Sequence, residues 1–143
     1  MNNSPEPTWW RRLLARWWYI WGQSLCYQGN RTAERSFYRH GVASFARAAR
    51  LWPDFAPAYY QSGLIRGREL SEYPAAVADL SRAMELRPEW PAPYLQRGLF
   101  HRFNSAPDAA LADLQRYVEL GGDPYWRGEA ERHIRQLQEE LES

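Results

Sequence analysis

An internal repeat constrains this chain more than any other feature. "LWPDFAPAYYQSG", Leu51 to Gly63, lines up with "LRPEWPAPYLQRG", Leu86 to Gly98, at an offset of 35, with Leu, Pro, an acid, an aromatic, Tyr, Gln and Gly in register. Downstream, "AVADLSRAMEL" (Ala76 to Leu86) matches "ALADLQRYVEL" (Ala110 to Leu120) at an offset of 34. Looking back by 35, Phe45, Arg47, Ala48 and Leu51 match Leu80, Arg82, Ala83 and Leu86. A period of this length describes stacked units, each too small to bury its own apolar face and therefore packed on its neighbours.

Within the period, Tyr59-x3-Gly63 and Tyr94-x3-Gly98 recur as Trp18-x3-Gly22, followed three residues on by Leu25. A large aromatic and a glycine at i and i+4 share one helical face, so the ring fills a gap while the glycine admits a neighbouring helix. The Trp-rich stretch Trp9 to Gly22 is therefore a candidate first helix for a further copy at the N-terminal end, and Trp18, Trp21, Gly22 and Leu25 are expected to pack inside the first pair.

On these residues the chain resembles the tetratricopeptide repeat family. The motif positions in the second copy are Tyr59, Gly63, Tyr73, Ala76, Leu80, Ala83 and Pro88, and in the third Tyr94, Gly98, Ala110, Leu114 and Tyr117. Ser62 and Arg97 stand where leucine is usual, and Gly121-Gly122 replaces the closing proline. The resemblance implies an all-α, right-handed solenoid of antiparallel helix pairs, about seven helices in all. It divides the chain into a flexible tail at 1–8, repeats at 9–53, 54–88 and 89–122, and a capping helix at 123–141, all within one domain. Ser71 ahead of Pro74, and Ser105 with Asp108, are expected as N-caps of second helices, and Asp123-Pro124 as the start of the last. That last helix aligns Trp126, Ala130, Ile134, Leu137 and Leu141 along one side.

Composition limits the function classes. At 143 residues with 45% hydrophobic and 15% aromatic content, the chain suits one folded domain, and it lacks a charge-free apolar run of membrane-spanning length. All 18 basic residues are arginine; residues 1–50 hold eight of them against Glu6 and Glu34, a net of +6, leaving −5 for the rest. A pI of 7.9 is far below that of a dedicated nucleic-acid binder, so no nucleic-acid partner is expected. Cys26 is the only cysteine, which rules out an internal disulfide and makes a reducing cytoplasm the default expectation. Arg11-Arg12 is not expected to head a secretory signal, because Arg16 interrupts the apolar stretch.

No catalytic, metal or cofactor constellation stands out. His40, His101 and His133 are scattered, Glu129 with His133 is an i, i+4 surface pair, and Gly121-Gly122 before Asp-Pro is a helix stop. No enzyme and no cofactor are expected. The resemblance implies instead a concave groove, lined by the first helix of each pair, that binds a peptide or protein. Counted from the motif aromatics, the groove residues are Arg16, Tyr19, Ile20 and Gln23, then Tyr60, Gln61, Leu64 and Arg68, then Leu95, Gln96, Leu99, Arg102 and Phe103. Where the family clamps acidic tails with Lys and Asn, this chain has Tyr19, Gln23, Gln61, Ala92 and Gln96, so the ligand expected is largely apolar with one or two acids for Arg68 or Arg102. The capping helix is the competing cover for several of these positions.

Trp10, Leu13 and Trp17 are left over, pointing to where a preceding repeat would stand. Three outcomes are open for this docking face: packing on its own chain, contact with a partner or a second copy as a homodimer, or a lipid interface beside Arg11, Arg12 and Arg16. The alternative function that follows is a peripheral membrane-associated assembly factor.

Overall fold

The computed structural model describes residues 5–143; the first half of the expected tail, residues 1–4, lies outside the described residues. Among the described residues there are seven α-helices and no strand: α1 (Trp9–Thr32), α2 (Arg35–Leu51), α3 (Ala56–Arg68), α4 (Tyr73–Leu86), α5 (Pro91–Phe103), α6 (Pro107–Glu119) and α7 (Pro124–Glu142). Pro57, Pro74, Pro91, Pro107 and Pro124 each occupy a first turn, where the missing N–H costs no helical bond. The helices pack in sequential pairs, α1 with α2, α3 with α4 and α5 with α6, and α7 closes on α6.

The repeated glycines set the spacing inside each pair. A Cβ placed on Gly22 would meet the Phe45 ring at 2.7 Å, one on Gly63 would meet Leu80 Cγ at 2.8 Å, and one on Gly98 would meet Leu114 Cγ at 3.0 Å. Phe45, Leu80 and Leu114 are equivalent by the repeat, and all three are buried. As α1 advances from Gly22 to Gly29, its partner on α2 retreats from Phe45 to Tyr38, so the pair runs antiparallel. A second aromatic relationship joins the pairs. Phe55, in the turn before α3, lies 5.3 Å from Tyr19, and its equivalent Trp90 lies 4.7 Å from Tyr60. Each turn aromatic thus packs back on the first helix of the preceding pair.

Asp123 caps α7 as expected, accepting a 3.0 Å bond from Tyr125 N–H. Ser71 and Ser105 do not cap. Both have φ of 56°, in the left-handed region, and close the preceding helices instead. At Ser105 the bonds Ala106 N–H to His101 O, 2.9 Å, and Ser105 N–H to Arg102 O, 3.3 Å, form a C-terminal helix stop. The residues before α4 and α6 are Glu72 and Ala106, neither with a side-chain cap.

The first pair departs from the other two. α1 has 24 residues against 13 in α3 and α5. It starts six residues earlier and ends five later relative to the motif aromatic. Its core side is made of Ala15, Gly22, Cys26 and Gly29. Trp18 and Leu25 are half-buried as expected, but Trp21 is exposed on the outward side. On α7, Ala130 and Leu137 are buried and Ile134 packs beside them, whereas Trp126 and Leu141 stand exposed.

Candidate functional site

The side of the stack lined by α1, α3 and α5 carries two adjoining clefts. The first, about 310 Å³, lies between α1 and α3 and is lined by Gln23, Cys26, Tyr27, Asn30, Phe45, Gln61, Leu64, Ile65, Arg68 and Glu69. The second, about 320 Å³, lies between α3, α5 and the start of α7 and includes Tyr60, Trp90, Ala92, Leu95, Gln96, Tyr117, Asp123 and Trp126. Of the residues expected from the sequence, the structure brings together Gln23, Gln61, Leu64 and Arg68 in one cleft and Tyr60, Leu95 and Gln96 in the other.

Tyr19 stands beside the first cleft, its hydroxyl accepting from Gln23 Nε2 at 3.2 Å and its ring 5.7 Å from Phe45. Burial holds its phenol, and that of Tyr60, above the usual value, so both remain neutral donors. The Cys26 thiol, buried and facing the Glu69 carboxylate, is pushed up to about 11, which leaves a packing group rather than a nucleophile. Arg68 is exposed and has no ion pair among the described residues.

Other expected groove positions are placed differently. Leu95 is only 4% exposed and belongs to the core cluster with Ala130 and Leu137 of α7, and Leu99 packs against the same cluster. Arg102 contacts His133 and donates to Gln136 Oε1 at 3.0 Å and Glu140 Oε1 at 3.4 Å, so α7 uses the guanidinium that the sequence assigned to a ligand. Phe103 is exposed but stacked on Tyr73 at 5.8 Å, away from both clefts. Arg16 lies over the Trp52 ring at 5.7 Å, and Ile20 points outward with the tryptophans. Tyr27, Asn30 and Glu69 also line the first cleft: Asn30 reaches it because α1 continues beyond the repeat length, while Glu69 sits at the C-terminal end of α3. The sequence reading missed these three and Trp90, although the register of Trp90 with Phe55 was legible.

A third cleft, about 560 Å³, opens between α2, α3 and α4. At its floor Ser62 donates to Asp79 Oδ2 at 2.6 Å, and Arg66 Nε lies 3.3 Å from the same oxygen. Burial raises the Asp79 carboxyl, opposed by Ser62 and Arg66. Among the described residues no group of three His, Cys, Asp or Glu side chains is placed to hold a metal ion.

Trp10, Leu13 and Trp17 all lie exposed on α1, with Trp17 stacked on Trp21 at 6.0 Å and edge-on to Trp18 at 4.9 Å. The outcome in which this face packs on its own chain does not occur among the described residues. No helix of the described residues is long and apolar enough to cross a membrane.

No family model matches the sequence, and no curated protein matches it significantly. Solved structures do match in fold. The Arabidopsis OM64 TPR domain superimposes with a TM-score of 0.76 at 18% identity, covering 91% of this chain and 98% of that one. The first TPR of Spaghetti (RPAP3), bound to the HSP90 peptide SRMEEVD, gives 0.70 at 19% identity, covering 87% and 96%. The TPR2B domain of yeast Sti1, in a pHsp70 complex, gives 0.67 at 15% identity, covering 85% and 98%. The chain has the tetratricopeptide repeat fold.

Proposed function

We propose that this chain is a non-enzymatic interaction module that binds an extended peptide segment of another protein along the two clefts between α1, α3 and α5. The observation that carries the reading is the convergence of Gln23, Gln61, Leu64 and Arg68 on one cleft in a fold whose solved neighbours include peptide complexes. Amide side chains at Gln23, Gln61 and Gln96 offer donors and acceptors to a peptide backbone, and Leu64 and Tyr60 offer apolar contact.

The ligand chemistry differs from that of the Spaghetti domain's acidic HSP90 peptide. With Arg102 held by α7, Arg68 is the one groove cation without an intramolecular partner among the described residues. A single bidentate guanidinium selects one carboxylate, while the aromatic and aliphatic lining selects apolar side chains around it. The expected ligand is therefore a mostly apolar segment carrying one acid.

Selection from a displayed random-peptide library tests this. Peptides recovered on the natural chain should share apolar positions around one acidic residue and lose at least about tenfold in affinity for Leu64→Asp or Arg68→Glu. Recovery of peptides indifferent to both substitutions would remove the groove assignment.

A further inference from the structure

We infer that the outward face of α1 is a docking surface for an anionic lipid interface. This goes beyond the groove reading, because the residues concerned lie on the opposite side of α1 from Cys26 and take no part in either cleft. Trp9, Trp10, Leu13, Trp17, Ile20 and Trp21 are between 48% and 75% exposed. At about 100° and 1.5 Å per residue they form one stripe roughly 120° wide and about 18 Å long. Large apolar patches of this kind on a soluble surface mark an interaction site.

Charge decides among the occupants. Both borders of the stripe carry arginines: on one side Arg12, paired with Glu6, and Arg16, each lying over the Trp52 ring at 5.2 and 5.7 Å, and on the other Arg47, whose guanidinium stands 4.5 Å above the Trp18 ring. From Trp9 to Ala33 there is no acidic residue, and residues 5–50 hold eight arginines against Glu6 and Glu34, a net of +6. A second copy docking through the same stripe would set this layer against itself, with only Glu6, already paired with Arg12, to answer it. An interface of anionic headgroups over hydrocarbon meets both parts, the indoles lying at headgroup depth and the arginines among the phosphates. The helix would lie in the plane of the surface, since no helix of the described residues is apolar enough to cross it.

Flotation of the full chain with vesicles tests this, comparing phosphatidylcholine alone with a mixture containing about one third phosphatidylglycerol. Partition into the anionic vesicles should be at least about tenfold stronger, weaken with salt, and shift tryptophan emission to shorter wavelength. Trp10→Ser/Leu13→Ser/Trp17→Ser should abolish binding with helicity retained. Arg12→Gln/Arg16→Gln, which keeps the stripe, should remove most of the anionic preference. The inference is overturned if the chain stays unbound, if it binds both vesicle types equally with the arginine variant unchanged, or if it is a stable dimer whose emission is already blue-shifted and unmoved by vesicles.

Discussion

Arg97 grips Asp113 through two parallel bonds, Nε to Oδ2 and Nη2 to Oδ1, each 2.7 Å, while its Nη1 donates to Ser81 at 2.9 Å. The Asp113 side chain is 7% exposed. Arg97 stands where the family motif has leucine, and the preceding copy fills the same pair of positions with Ser62 and Asp79. Removing the guanidinium would leave a buried carboxylate without its charge partner. Arg97→Leu is expected to cost about 3–5 kcal/mol, and Arg97→Leu/Asp113→Leu to recover most of it, measured by denaturant unfolding.

The glycines separate into those that admit a neighbour and those that do not. A Cβ on Gly67 would collide with the Phe100 ring, whereas one on Gly128 would meet nothing within 4 Å. Gly67→Ala should destabilise by about 1–3 kcal/mol by forcing α3 and α5 apart. Gly128→Ala, on the open side of α7, should stabilise by about 0.5–1 kcal/mol through helix propensity. Equal effects in thermal unfolding would contradict this account of the repeat spacing.

Burial and the neighbouring Arg102 and Arg132 hold His133 below its usual value of 6.5; burial and Arg97 lower His101 likewise, opposed by Asp113. The unfolded chain therefore binds more protons than the folded one near that value. Stability from these neutral histidines is complete above it and declines as pH falls through it. Thermal unfolding should occur at lower temperature at about pH 5.5 than at about pH 7.5, and His133→Gln should narrow the difference.

The repeat placed the helices because it is a packing pattern: Gly63 with Leu80 and Gly98 with Leu114 are contacts that sequence periodicity reports directly. Turn chemistry was less legible. Ser71 and Ser105 have the composition of N-caps, yet they serve as left-handed closures of the helices before them, a choice made by backbone geometry. The lining of the cleft between α1 and α3 was legible where it depends on one helix face, as for Gln61, Leu64 and Arg68. It was not at Leu95, Leu99 and Arg102, because α7 returns over α5 and no local signal says how far it reaches.

The fate of the two arginines follows from that difference. Arg102→Ala should lower stability and raise hydrogen exchange in the last turns of α7, because it releases Gln136 and Glu140. Arg68→Ala should change stability by no more than about 0.5 kcal/mol. If both variants unfold alike, Arg68 has a structural partner and loses its place as the ligand's cation.

Chemical-shift mapping of the backbone amides, with a peptide selected on the natural chain, tests the interaction module most directly. Perturbations are expected to concentrate at Gln23, Cys26, Gln61, Leu64 and Arg68 and to extend to Tyr60 and Gln96. Perturbations centred instead on Ala46, Ala49, Ser62 and Asp79, around the cleft between α2 and α4, would contradict it.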